Sequence, residues 1–585
     1  MLRARLALAR RHLRFLPVRP DTHVGAGDST LPVLRLYLIK ASRYDDSGRL
    51  LQFRWGVIPG NTLAVLAGLA RAWADDRAQV ELQLVVWDEL VDAVLDAPTI
   101  ASIVDAAAQD RVNLLIGMAG VQTGEYPRAR DIALQFRSRG AAVAIGGFHV
   151  SSDAASRQFL QSVGVTFVTG EAEHSLGRLL DDFLAGQLPP SYAAEGSLRA
   201  KSDLGMIQVP DLVNAPMPSI ETRYLQRFFN PRFATVDTSR GCPFICSFCA
   251  VKNVMGRTVR ARDPHRVVAW IEHAHDQHGI ETFLIVDDDL FRSPTWEPVL
   301  AGIAGLRRHG RKISLFLQSD VQPATADADR NGRRFVELAA EAGCYQVFMG
   351  FESLEAADVQ GLRKHQNRTA DDRRGEISRR ADGLDGHYRT IVANWHAAGV
   401  AVHCGYMLGL PSDRAGCGNR AARRLADIGV DIVSFFAATP LPGTEDHRAA
   451  AAEGSLLVND WNSYDTTHFV RKHAALSREE LEREYRDAYR TFYSFRRMAW
   501  SAATLHSVAG LRWPARTGML AQQLYYGYAS RRGWHPMLGG ILRRPTTERR
   551  RAVDDAQARS LYLAIIPPAA AFRLQLARKS HMEPR

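Results

Sequence analysis

The chain has 585 residues, 46% of them hydrophobic, and a formal net charge of +11. Single cores stop growing at about 250–300 residues, so this length implies several domains, and the apolar fraction is enough to fill them. No run of ~18 apolar residues occurs, which argues against a membrane-spanning helix, and six cysteines in so long a chain argue against a disulfide scaffold and for a reducing, cytoplasmic setting.

Residues 1–29 read as a basic arm. Its start, MLRARLALARRHLRFLPVRP, is amphipathic but lacks an apolar core with a small-residue cleavage site, so it does not read as a secretory signal. DTHVGAG (21–27) belongs to this arm. Basic residues gather at both ends of the chain, which suits solvated surface or peripheral contact with an anionic membrane face. No zinc-finger spacing or RNA-binding aromatic motif goes with the charge, so nucleic acid is not expected.

Residues 30–195 alternate short apolar runs with amphipathic segments. The runs are 33–41, 80–88, 112–120, 141–149 and 165–171; YPRARDIALQFRSRG (126–140) is a helical pattern that stops at Gly140. Near-continuous apolar strands separated by helices predict a parallel sheet covered on both faces, a Rossmann-like doubly wound domain. Its ligand should lie beyond the C-terminal strand ends. The turns there hold Gly146, Gly147 and Gly170, where a ligand can approach the backbone. Residues 196–230, with Pro210, Pro216 and Pro218 and no sustained period, read as a linker.

A second βα series fills residues 231–450. Its strands are predicted at 233–239, 281–289, 312–320, 345–353, 401–411 and 431–440, with DPHRVVAWIEHAHDQHG (263–279) the clearest helix. Six βα units predict a partial (βα)6 barrel with its chemistry at the C-terminal rim. The charged stretch 363–386 reads as an exposed insertion. Residues 451–585 read as a mostly helical, basic region, placed over the barrel mouth, on a membrane surface or as a plain cap.

Cys242, Cys246 and Cys249 make a CxxxCxxC pattern directly after the first barrel strand. Three thiolates this close converge on one soft metal centre. The alternatives are a zinc site, which needs a fourth ligand that no nearby motif supplies, and three unrelated buried cysteines. Cys344 and Cys404 read as small hydrophobes, and Cys417 follows in a Gly-flanked loop.

CxxxCxxC with an aromatic residue before its third cysteine, after the first strand of a six-unit barrel, resembles the radical S-adenosylmethionine (SAM) superfamily. The resemblance implies that the three thiolates hold a 4Fe-4S cluster whose open iron binds SAM, and that SAM is cleaved to a 5′-deoxyadenosyl radical. It implies that Phe248 packs near the adenine. Asp287 and Asp288, in the DDD at 287–289, stand where the family commonly has Gly-Gly-Glu contacting the methionine ammonium; a solvated acidic turn is the alternative. Glu352, in GFES, matches a polar residue that often meets the ribose. Gly405 and Gly409, in GYMLGLP, match the glycines against the adenine. TPLPGTE (439–445) also resembles the family and carries no assigned role.

GGFHVS through PPSY (146–192) resembles the later half of a cobalamin-binding domain that precedes the barrel in one radical SAM subgroup. The DxHxxG motif that supplies a cobalt-ligating His is missing: the loop after the first strand, 42–61, has no histidine. His149 reads as a hydrogen-bonding residue at a turn or as a group facing the ligand cleft. Cobalamin bound without a His ligand, or a scaffold without cobalamin, both remain open. The reactions implied are cobalamin-assisted C-methylation of a small-molecule or lipid-like metabolite, another radical SAM reaction such as oxidative cyclisation, rearrangement or sulfur insertion, or a non-catalytic iron–sulfur role. An electron donor such as flavodoxin or ferredoxin is implied as partner.

Overall fold

The computed structural model describes residues 31–77, 79–368, 383–504, 513–537 and 539–562. The basic arm with DTHVGAG, and most of the charged stretch after residue 368, lie outside the described residues.

Five predicted runs form parallel strands: β1 (Val33–Lys40), β2 (Glu81–Asp88), β3 (Asn113–Met118), β4 (Ala142–Gly146) and β5 (Thr166–Val168). A two-residue strand, β6 (Ser191–Tyr192), which the sequence did not reveal, adds a sixth in the order β2-β1-β3-β4-β5-β6. Side chains alternate across a strand, and β1 shows both faces covered. Leu34, Leu36 and Leu38 join a core with Leu63 and Leu179, from helices Asn61–Asp75 and Ser175–Leu184. Tyr37 and Ile39 join a second core with Ile132 and Phe136, from helix Tyr126–Ser138. That helix is followed by Gly140 at φ +81°, a conformation that closes a helix end at little cost.

The second series forms one parallel sheet in chain order: β7 (Phe233–Val236), β8 (Thr282–Ile285), β9 (Ser314–Gln318), β10 (Cys344–Glu352), β11 (Ala401–Leu408) and β12 (Ile432–Ala437). β7 and β12 do not pair, so the barrel is open on one side. Outward residues such as Phe283, Leu315 and Val347 pack on the surrounding helices, while Phe233, Leu284 and Phe316 cluster separately.

An open edge strand leaves backbone groups unpaired. On β12, side chains satisfy them. The Tyr489 hydroxyl bonds both Phe435 N and Phe435 O (3.1 Å each), and the Tyr493 hydroxyl bonds Val433 N (2.9 Å) and Val433 O (2.8 Å). Both come from helix Arg478–Phe492 and the residue that ends it. Tyrosines four apart on a helix match residues two apart on a strand.

One sequence reading is corrected. The stretch 196–230 holds an antiparallel hairpin, Leu198–Ser202 with Gly205–Val209, that braces the cysteine loop: Lys201 O accepts from Arg257 N at 3.0 Å. Prolines broke the period without removing the structure. The C-terminal region is mostly helical, as the sequence reads, and its short strand Gly540–Arg543 pairs with Phe53–Gly56 of the N-terminal domain. It clasps both domains. Among the described residues no helix is long and apolar enough to cross a membrane.

Candidate functional site

The cysteine loop is pinned at both ends. Gly241, at φ +92°, lies so close to Thr258 that a Cβ would meet its carbonyl oxygen at 2.3 Å. Beyond it Cys242 N donates to Gly256 O (3.3 Å), Ser247 N to Leu362 O (3.0 Å) and Lys252 Nζ to Cys246 O (2.7 Å). All six cysteines are free thiols. Burial pushes the Cys249 thiol up to about 12, with the Cys246 sulfur adding to the shift, and burial raises Cys242 likewise. Thiolates in so dry a place need a cation to hold them. Among the described residues no three His, Cys, Asp or Glu side chains are placed to hold one metal ion. An iron–sulfur cluster spreads its three ligands over separate irons and so does not need them to converge on one ion.

The three aspartates after β8 divide their work, and the turn is not solvated. Asp287 is buried and accepts from Thr238 N (2.6 Å), Thr238 Oγ1 (2.5 Å) and Ser239 Oγ (2.6 Å), which ties the approach to the cysteine loop. Burial, offset by these bonds, sets its carboxyl at about 6. Asp289 accepts from Asp320 N at 3.2 Å beside Arg292. Asp288 has a buried oxygen, Oδ2, with no partner. Burial, then Asp287 and Glu171, push its carboxyl up to about 7, against Arg240 and the Gly241 N–H. A buried carboxylate oxygen without a donor is a site for an ammonium.

Glu352 ends β10 at φ +64°, a rare conformation for a side chain other than Gly. That turn brings its carboxylate over Gly350, where a Cβ would stand 2.1 Å from Glu352 Oε1. There it pairs with Lys364. Burial opposes the Lys364 charge, yet Glu352 and the Cys246 and Cys249 sulfurs hold its proton more tightly than usual. Its ammonium also lies 5.8 Å from the Phe248 ring centroid. Lys364, Gln366 and Asn367 are buried, so the first residues of the charged stretch lie inside the site, while 369–382, the bulk of the expected insertion, fall outside the described residues. Gln366 Nε2 points at Cys246 Sγ (3.7 Å).

Phe248 packs with Leu362, Met407 and Leu410. At Gly405 a Cβ would meet the Phe348 ring at 3.0 Å, and at Gly409, φ +88°, the Phe469 ring at 2.8 Å. These two glycines make room for the protein's own aromatic rings. His149 is fully buried, with Nε2 3.0 Å from Ser156 Oγ and its ring against Tyr126, so it does not face the cleft; burial takes it down to about 4.

Gly146, Gly147 and Gly170 line an open apolar cleft of ≈ 180 Å³ between the first sheet and helices Asn61–Asp75 and Ser175–Leu184. Gly147, at φ +140°, is fixed by the backbone itself: a Cβ there would meet Val121 N at 2.1 Å. Among the described residues no histidine lines the cleft. Among the described residues, three of its polar groups have a buried oxygen without a partner: Asn61 Oδ1, Ser175 Oγ and Glu173 Oε2, the other Glu173 oxygen being paired with Arg240. Orphaned acceptors on apolar walls suit a large ligand carrying amide and hydroxyl donors.

Arg240 joins this cleft to the cysteine loop. It pairs with Glu173 (2.6 Å), Glu171 (3.5 Å) and Asp237 (2.9 Å). Arg260 adds a bond to Glu171 (2.5 Å) and Arg262 one to Asp237 (3.0 Å), and this holds the Asp237 carboxyl well below the usual range despite its burial. Arg240, Glu173, Lys364 and Gln366 were missed in the sequence. Arg240 stands in SRGC, two residues before the first cysteine, which was the available signal; nothing local marks Lys364.

Residues 236–411 match the family model of the radical SAM superfamily. The bacteriochlorophyllide d C-8(2)-methyltransferase of Chlorobaculum tepidum is 24% identical over 389 residues, 63% of this chain and 76% of that protein. The anaerobic magnesium-protoporphyrin IX monomethyl ester cyclase of Cereibacter sphaeroides is 22% identical over 276 residues, 46% of this chain and 40% of that protein. In fold, the chain resembles the radical SAM methyltransferase TsrM from Kitasatospora setae, with cobalamin and a [4Fe-4S] cluster bound, at TM-score 0.54 and 14% identity over 86% of this chain and 99% of that one. The family's match covers the barrel with its cysteine loop, and residues 236–411 form a radical SAM domain.

Proposed function

We propose that the protein is a cobalamin-assisted radical SAM methyltransferase acting on an unactivated carbon of a small-molecule or lipid-like metabolite. The observation that carries this reading is the apolar cleft with its orphaned acceptors, tied through Arg240 to the cysteine loop. When bound, the cluster supplies the electron that cleaves SAM to a 5′-deoxyadenosyl radical, and cobalamin supplies a methyl carrier. Cys242, Cys246 and Cys249 hold the cluster, and Gln366 and Lys364 wall it on the Cys246 side. Asp288 receives the SAM ammonium, and Phe248 offers an apolar face to the adenine. Glu352 and Lys364 stand at the barrel mouth, where a ribose hydroxyl and a carboxylate find complementary charge. Asn61, Glu173 and Ser175 accept donors from the ligand in the cleft. An electron donor of flavodoxin or ferredoxin type serves the cluster.

The likeness to the protoporphyrin ester cyclase favours oxidative ring closure as the second reading. Comparing metabolites of cells with the active protein and with a Cys249→Ala variant separates the two. Methylation predicts a product heavier by one CH2 group. A product lighter by two hydrogens, with no methylated species, supports ring closure instead.

A further inference from the structure

We propose that the C-terminal unit, residues 495–551, docks the protein on an anionic lipid surface. This stretch holds eleven arginines, one glutamate and no lysine or aspartate, and so carries ten of the chain's eleven net positive charges. Carboxylates neutralise few of them. Arg543 pairs with Asp45 and Arg550 with Asp460. Arg496, Arg531, Arg532, Arg549 and Arg551 are exposed and have no ion pair among the described residues.

Apolar side chains stand in water among these cations. Phe495 is 81% exposed, Leu524 53%, Leu542 48% and Val553, just past the stretch, 51%. Helix Trp513–Arg531 has two distinct faces. Its inner face is anchored: Tyr526 is buried, and Gln523 Nε2 donates to Asp431 O at 2.9 Å on the barrel edge. Its outer stripe is Leu524 and Tyr528, with Arg532 one turn further, its guanidinium 5.4 Å over the Tyr528 ring. Exposed aliphatic and aromatic groups flanked by arginines that extend outward suit contact with the headgroup layer of a lipid surface. The same helix is too polar to cross a bilayer.

Charge alone fits any polyanion. The apolar groups decide between them, because Phe495 and Leu524 gain nothing on a phosphodiester backbone but bury area among acyl chains.

The test uses the full-length, cluster-loaded protein and sedimentation with vesicles. Binding is expected to vesicles of phosphatidylcholine with about a third phosphatidylglycerol, to be weak on phosphatidylcholine alone, and to fall as salt rises. Free glycerol phosphate at the same headgroup concentration should not release it. Each arginine near a charged surface contributes about fivefold in affinity, so R496Q, R532Q and R551Q together should cost about a hundredfold. Leu524→Ser should weaken binding at high salt, where the apolar contact dominates. Iron content and thermal melting of both variants should match the parent. Equal binding to neutral and anionic vesicles, or unchanged binding of the folded triple variant, would overturn the inference. So would preference for duplex DNA over the anionic vesicles, which would assign the surface to nucleic acid.

Discussion

Replacing Asp288 by Asn keeps the shape of the side chain and removes its charge. Its Oδ2 is buried without a partner, and the carboxyl sits at about 7 because burial, Asp287 and Glu171 all disfavour ionisation. An ammonium donating to it forms a charge-assisted hydrogen bond worth about 1.5–3 kcal/mol, so SAM affinity should fall about ten- to a hundredfold in the variant. The pH dependence has a definite sign. Only ionised Asp288 receives an ammonium well, and its carboxyl sits at about 7, so parent affinity should rise as pH climbs from about 6 through about 7 and level off near about 7.7–8.0, where an α-amino group itself loses its proton. The Asn variant should bind with a flat profile. Folding shows the opposite trend: the raised pKa favours the folded state at acid pH, and that contribution is lost as pH rises from the ordinary Asp range to about 7. The assay is anaerobic equilibrium binding of SAM to cluster-loaded protein, with iron content as control. Unchanged affinity and an unchanged pH profile in Asp288→Asn, with iron retained, would refute the assignment of this carboxylate to the SAM ammonium.

Alanine at Cys242, Cys246 or Cys249 should each lower iron content and abolish SAM cleavage, whereas alanine at Cys344, Cys404 or Cys417 should leave the iron in place; iron analysis and 5′-deoxyadenosine yield check both. Asp287→Ala removes three bonds to Thr238 and Ser239 and should destabilise the fold by about 1–3 kcal/mol, seen as a lower melting temperature in the metal-free protein. Gly147→Ala puts a Cβ against Val121 N at φ +140° and should melt earlier as well, by strain rather than by a lost contact. Cobalamin bound in the cleft should show no axial imidazole, because no histidine among the described residues lines it; nitrogen superhyperfine splitting in the cob(II)alamin spectrum would contradict this.

The strands of both sheets were legible because a parallel strand covered on both faces is apolar at nearly every residue, as β1 and β11 are. β6 was not, since two residues carry no period. The hairpin at 198–209 escaped notice because its strands are largely exposed and so lack an apolar alternation. In the site, the cysteine spacing is local and could be read directly. The division among Asp287, Asp288 and Asp289 could not, because it depends on which oxygens Thr238, Ser239 and Asp320 reach. Lys364 lay hidden among charged neighbours, and only the left-handed turn at Glu352 over Gly350 brings it inside. The glycines of GYMLGLP were legible as close approaches, but the partners are Phe348 and Phe469, contacts that a single sequence does not encode locally.

The most direct test of the proposed reaction is the product pair formed from SAM. Protein reconstituted anaerobically with iron, sulfide and cobalamin, then reduced in the presence of SAM and a cell extract, should release 5′-deoxyadenosine and S-adenosylhomocysteine together, and the Cys249→Ala variant should release no 5′-deoxyadenosine. 5′-Deoxyadenosine without S-adenosylhomocysteine would contradict methylation, and the absence of both from cluster-loaded protein would contradict radical SAM catalysis by this chain.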